Sequence, residues 1–135
     1  MRTTLAEALA TARRRLEDAG IADAARDARI LLDGLLHLSS TALLVDGDRP
    51  LTAEQLAMIR GAIGRRVARE PVHRILGRRA FSRLDLMLSP DTLEPRPDTE
   101  ILVDTLVPYA RRFVAERGAC RILDLGTGTG AICLA

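Results

Sequence analysis

Arg121-Ile122-Leu123-Asp124-Leu125-Gly126-Thr127-Gly128-Thr129-Gly130-Ala131-Ile132 decides the fold. Residues 121–125 are a short apolar run of the length of a buried strand. Three glycines at alternate positions follow at once, and Ala131 begins a helix. Strand, glycine loop and helix in this order form the opening unit of a doubly wound α/β sheet. Glycines let the backbone turn through left-handed conformations and let a ligand approach without meeting a Cβ. Free N–H groups at the start of the helix favour a carboxylate or phosphate there. The Gly-x-Gly-x-Gly spacing differs from the Gly-x-Gly-x-x-Gly of dinucleotide sites, which disfavours an oxidoreductase. Without a Lys it is not a phosphate-gripping loop either.

Upstream, Pro90, Pro95 and Pro97 exclude regular helix and central strand and make residues 89–97 a loop of fixed shape. Asp98 is expected to cap a helix through Ile101, Leu102, Thr105 and Leu106, with a kink or break at Pro108 and an end at Gly118. Residues 72–89 read as extended, because Leu84, Leu86 and Leu88 alternate with Asp85 and Met87. A hairpin with its turn near Phe81 follows from that. The first seventy residues have helical period. Thr4-Leu5-Ala6-Glu7 and Thr52-Ala53-Glu54-Gln55 have the spacing of capping boxes. Leu5, Leu9, Ala12 and Leu16 share one face, and Gly20 with Ile21 closes that helix. Asp23 opens a second helix carrying Ala28, Leu31, Leu32 and Leu35. Ser39 or Ser40 is expected to cap a short third. The fourth buries Leu56, Ile59, Ile63 and Val67 and stops at Pro71.

Glu70-Pro71-Val72-His73-Arg74-Ile75-Leu76-Gly77, then Phe81, then Leu93-Glu94-Pro95-Arg96-Pro97-Asp98-Thr99-Glu100, then Leu123 to Ile132 resemble, in order, the HemK/PrmC family of release-factor glutamine N5-methyltransferases. The Pro-Arg-Pro-Asp-Thr-Glu stretch is the most specific part, and the first seventy residues match in kind, as a small helical domain. The resemblance implies three parts. These are an all-α N-terminal helical bundle (1–71, substrate recognition), a β-hairpin and Pro-rich linker (72–97), and the truncated start of an α/β Rossmann-like methyltransferase domain (98–135). It implies S-adenosylmethionine as cofactor, held by Asp124, Gly126, Thr127, Gly128, Thr129 and Gly130. Phe81, Arg96, Pro97, Thr99 and Glu100 would line the cofactor or substrate cleft. Each has a plainer role to set beside this: Phe81 as core of the hairpin, Glu100 on the helix dipole, Arg96 in a salt bridge.

The implied reaction is N5-methylation of the glutamine in the Gly-Gly-Gln motif of class 1 peptide-chain release factors. The family's Asn-Pro-Pro-Tyr motif, which would position the glutamine amide, is not among these residues, so no catalytic residue is assigned. The expectation is that these residues alone are inactive. The chain also departs from the family pattern at Arg74, Ala80, Glu94 and Cys133, where aromatic or apolar, acidic, aliphatic and small residues respectively are usual.

Residues 60–79 carry seven arginines against Glu70, a local net charge of +6, while the whole chain is only +2. Arg65, Arg66 and Arg69 could form a docking face for an acidic release-factor surface or the ribosome; the plainer reading is a solvated helix face. The alternatives to the enzyme are a non-catalytic release-factor or ribosome binding module and a nucleic-acid amino-group methyltransferase, against which Pro-Arg-Pro-Asp-Thr-Glu speaks. The small net charge makes direct nucleic-acid binding an unfavoured expectation. His37 and His73 lack partners at metal-ligand spacing, so no metal site is expected. Cys120 and Cys133 are expected to be small buried apolar residues. No run approaches the ~18–20 apolar residues of a membrane span, and the default setting is cytoplasmic and reducing. All twenty basic residues are Arg, which looks like codon bias. The chain stops at Ile132-Cys133-Leu134-Ala135 within a helical turn, which suggests a piece of something larger.

Overall fold

The computed structural model describes residues 3–39 and 41–135. Two compact units divide the chain, Met1–Leu76 and Gly77–Ala135. The first is all helical: α1 (Leu5–Asp18), α2 (Ala24–Leu36), α3 (Ala42–Val45), α4 (Ala53–Val67) and α5 (Val72–Leu76).

Both capping boxes form. The Thr4 hydroxyl accepts from Glu7 N and the Glu7 carboxylate from Thr4 N, and Thr52 and Gln55 repeat the exchange. The remaining donors of the first turn of α1 are met by the 47–49 loop, with Leu5 N donating to Arg49 O and Ala6 N to Gly47 O. At the other end of α1, Gly20 N donates to Glu17 O and Ile21 N to Leu16 O, with Gly20 at φ +68°. This is the double bond of a Schellman stop, and buried Ile21 supplies its apolar contact. One core follows from the helical period. Leu5, Ala8, Ala12 and Leu16 of α1 meet Ala24, Ala28, Leu31 and Leu32 of α2, Ile59, Ala62 and Ile63 of α4, and Val72 and Ile75 of α5. The fully buried leucines and Ile63 each contribute roughly 1.5–3 kcal/mol on leaving water.

Three local expectations for this unit are corrected. Residues 72–76 are a helical turn and not extended chain. Ile75 N donates to Pro71 O, and Val72 and Ile75, three apart, then face the core together. An extended chain would turn Arg74 to the same side as Val72. The third helix has Thr41, not Ser39, at its N-cap, without a side-chain bond. Ser40, the alternative cap, lies outside the described residues. Asp23 does sit at the N-cap of α2, but its side chain makes no capping bond.

In the second unit β1 (Arg78–Phe81) pairs antiparallel with β2 (Leu84–Met87), with Arg79 opposite Leu86 and Phe81 opposite Leu84. The hairpin turns at Ser82-Arg83, and Ser82 takes φ +53°. After the proline-rich loop come α6 (Asp98–Arg117) and α7 (Ala131–Leu134). A second, smaller core joins Phe81 and Leu86 of the hairpin to Val103 of α6 and Ala131 of α7.

Here too the sequence expectations are adjusted. Pro97 occupies the N-cap of α6, and Asp98 is its first helical residue instead of its cap. Pro108 does not break the helix, which runs on to Arg117 and ends at Gly118 in the left-handed conformation. Pro108 has no N–H for the Asp104 carbonyl, but both residues are exposed, so that acceptor is not left in a dry interior. Residues 121–125 do not form the expected buried strand. A strand needs a neighbour's ladder, none of the described residues supplies one, and Ile122, Leu123 and Leu125 are exposed. The only sheet among the described residues is the hairpin, so the start of a parallel sheet is not formed. Cys120 is half-buried and Cys133 exposed, not buried, because only Ala131 and Ile132 of the last turn reach the core. Among the described residues no helix is long and apolar enough to cross a membrane.

Candidate cofactor loop

Residues 124–130 form an irregular loop that delivers the chain into α7. Its three glycines all have positive φ: Gly126 +76°, Gly128 +57° and Gly130 +76°. A side chain at any of them would be strained by roughly 1–2 kcal/mol. Packing does not impose the glycines at the first two positions. A Cβ on Gly126 would meet nothing within 4 Å, and one on Gly128 only the Gly126 carbonyl at 3.8 Å. The glycines are therefore required by conformation, and they leave open space beside the backbone. Two bonds hold the loop: Thr127 Oγ1 donates to Asp124 O at 3.3 Å, and Gly130 N donates to Thr127 O at 2.8 Å.

Asp124 is the one acid of the loop. Its Oδ2 is buried and has no hydrogen-bond partner. A buried carboxylate oxygen left unpaired costs free energy, and a cationic donor entering the loop would remove that cost. An ammonium group is the fitting complement, and S-adenosylmethionine carries one on its amino-acid end. The open glycine backbone and the orphaned carboxylate oxygen thus suit that cofactor.

The residues assigned to the cleft divide. Phe81 has no exposed surface and fills the small core with Leu86, Val103 and Ala131, the core role set beside its cleft role. Ala131, a member of the same core, directly follows the last glycine, so that core lies at the exit of the loop. Glu100 Oε2 accepts from Ser82 N at 3.2 Å, tying the start of α6 to the hairpin turn. Thr99 is half-buried, and Arg96 and Pro97 are exposed. Arg96 makes no ion pair among the described residues, so the plainer role in a salt bridge is not its role here. Glu94 has a counter-charge: it pairs with Arg79, and both side chains are largely buried. That pairing gives one departure from the family pattern a local physical reason.

In the helical unit the three docking arginines all have internal partners. Arg65 binds Glu70 through Nε at 2.7 Å and reaches the Ile75 carbonyl at 3.3 Å. The bond to Arg65 draws the Glu70 carboxyl below, and the Arg65 guanidinium above, its ordinary pKa. Arg66 Nε donates to Asp27 Oδ2 at 2.7 Å, and Asp27 is the buried charged residue of this core. Arg69 donates to the Ala19 and Gly20 carbonyls at the end of α1. These guanidiniums fasten α4 and the residues just after it to α1, α2 and α5. Sequence reading missed Asp27, Arg79 and Ser82. Asp27 carried a usable signal, since it lies between Ala24 and Leu31 on the apolar face of α2. The partner of Arg79 is fifteen residues away and carried none.

Residues 7–77 match the family model of the PrmC N-terminal domain. The chain is 53% identical over 132 residues to the release factor glutamine methyltransferase of Agrobacterium fabrum, covering 98% of this chain and 46% of that protein. It is 50% identical over 121 residues to the protein of the same name from Rhodospirillum rubrum, 90% of this chain and 36% of that one. With the Escherichia coli K12 protein of that name it shares 46% identity over 110 residues, 82% of this chain and 38% of the relative. The chain thus spans less than half the length of these relatives.

Proposed function

Since the chain belongs to the PrmC N-terminal domain family, we propose that it is the substrate-recognising and cofactor-loop portion of a release factor glutamine methyltransferase. The methyl donor is S-adenosylmethionine. The acceptor is the side-chain amide of the glutamine in the Gly-Gly-Gln motif of class 1 peptide-chain release factors. The observation that carries the reading is the loop 124–130, with its three left-handed glycines and the unpartnered buried Oδ2 of Asp124.

S-adenosylmethionine supplies, when bound, an activated methyl group on a sulfonium. The work of this chain is to hold that group. Asp124 would receive the ammonium of the cofactor's amino-acid end, and the glycine backbone from Gly126 to Gly130 would leave room for it. Thr127 and Thr129 flank the glycines, and Thr127 keeps the turn closed on the Asp124 carbonyl. An amide nitrogen is a weak nucleophile because its lone pair is delocalised into the carbonyl, so catalysis depends on positioning it in line and bonding its N–H groups. Arg96 and Thr99, at the threshold of α6, are the side chains of this portion offered to the acceptor side. Residues 1–135 contain no Asn-Pro-Pro-Tyr segment, so by themselves they transfer no methyl group. The helical unit serves release-factor recognition. Its docking role falls to the guanidinium faces of Arg65, Arg66 and Arg69 not used internally.

A chimera tests this reading. Residues 1–135 replace the matching portion of the Agrobacterium fabrum relative, and the product is incubated with isotopically labelled S-adenosylmethionine and a class 1 release factor. Label on the Gly-Gly-Gln glutamine is the expected result, with none when residues 1–135 are used alone. An inactive but folded chimera beside an active parent would overturn the proposal.

A further inference from the structure

The hairpin presents an inner face that is not wholly apolar. By the strand period and the register, Arg79 and Phe81 of β1 share a face with Leu84 and Leu86 of β2. Phe81 and Leu86 are buried in the small core, and Leu84 packs against it. Arg79 is thus an inward-directed cation at the edge of an apolar patch, with only 14% of its side chain exposed. Unpaired, it would oppose docking of that face, because a desolvated charge is costly. Glu94 of the proline-rich loop meets it, itself 19% exposed. The next residue, Pro95, is buried. A second tie lies at the other end of β1, where Ser82 N donates to Glu100 Oε2 on the first turn of α6. Between the two ties Phe81 enters the small core that also holds Ala131.

We propose that the Arg79–Glu94 pair is a positioning device: it seats the hairpin on α6 and, through Phe81, braces the exit of the glycine loop at Ala131. A paired charge on an otherwise apolar face admits one seating, because sliding the hairpin by a residue would turn Phe81 outward together with Arg79 and leave Glu94 buried without its partner. Arg79, Glu94 and Glu100 act on the loop through Phe81 and Ala131. That the braced loop serves a cofactor rests on the function proposed above; the brace itself does not.

The test uses residues 1–135 without ligand and reads the Ala131 methyl resonance. Packed in the core with the Phe81 ring, that methyl should be shifted by the ring current and show a nuclear Overhauser effect to the ring protons. In Glu94→Gln and in Arg79→Gln the shift should move at least ~50% of the way to its unfolded value, since loss of one partner leaves the other buried and unpaired. The exchanged pair, Arg79→Glu with Glu94→Arg, should restore it. Amides of the helical unit must stay unchanged in every variant, which separates loss of the brace from loss of fold. An Ala131 methyl unmoved in both single variants would overturn the proposal. So would single variants that move it without recovery in the exchanged pair. A separate S-adenosylhomocysteine titration of the chimera bears on the cofactor reading alone.

Discussion

Removing Arg66 should destabilise the helical unit much more than removing an arginine of equal charge at the surface. Asp27 is buried in α2 with 12% of its side chain exposed, and Arg66 of α4 covers it at 2.7 Å with 19% of its own exposed. Arg66→Met keeps the apolar stem and removes the guanidinium, leaving a carboxylate in the core with its charged partner gone. Breaking a fully buried pair costs about 3–5 kcal/mol, and an exposed one about 0–1 kcal/mol. The residual exposure of both groups discounts the first figure, and we expect a loss of about 2 kcal/mol. A unit of this size is stable by only about 4–10 kcal/mol. With a urea slope near ~1 kcal/mol/M, the midpoint should fall by about 2 M. The assay is a urea titration followed by the resonances of Leu31 and Ile63, which report this unit alone. Asp27→Asn with Arg66→Met should recover at least ~1 kcal/mol relative to the sum of the single variants, as expected for groups in contact. Arg13→Gln breaks the exposed pair with Glu17 and should leave the midpoint unchanged. A fall of less than ~0.3 M in Arg66→Met, or an additive double variant, would refute the reasoning.

Other perturbations address other links. Thr4→Ala and Thr52→Ala each remove one partner of a capping box and should each cost about 1 kcal/mol in the same titration. Burial raises the pKa of Asp33, against the smaller opposing effect of Arg29, and its Oδ1 is buried without a partner. The folded unit therefore holds that proton more tightly than the unfolded chain, and stability should fall as pH rises through the raised pKa. Asp33→Asn should remove this dependence and raise the melting temperature at neutral pH. A Cβ on Gly34 would lie 2.7 Å from Leu76 Cδ1, so α2 and α5 meet where only glycine fits without movement. Gly34→Val should cost about 1–3 kcal/mol by overpacking, and Leu76→Ala in the same chain should recover part of it.

The helical unit was legible because its determinants are local. The Thr4 and Thr52 boxes, the Gly20 stop and the three-and-four spacing of Leu5, Ala12 and Leu16 all act within one or two turns. The hairpin was legible from the alternation of Leu84, Leu86 and Leu88, since period two has no other economical reading. Residues 72–76 misled because five residues hold little more than one helical turn, and apolar content cannot distinguish periods over so short a run. Residues 121–125 have the composition of a strand, but composition does not supply a ladder, and the described residues offer no neighbour to pair with. At the candidate site, the positive φ of the glycines could be anticipated from Gly-x-Gly-x-Gly, while the unpartnered oxygen of Asp124 could not. Ion pairs between distant residues, Asp27 with Arg66 and Arg79 with Glu94, depend on which elements meet. They gave the arginines internal roles that a charge count assigns to the surface.

The loop's role as a cofactor cradle is tested most directly at Asp124. Calorimetric titration of S-adenosylhomocysteine into the chimera carrying residues 1–135 should give a single site. Asp124→Ala should weaken it at least ~tenfold, because a hydrogen bond to a charged group is worth roughly 1.5–3 kcal/mol. Equal affinity in the two proteins, with the fold of the loop unchanged, would contradict the account.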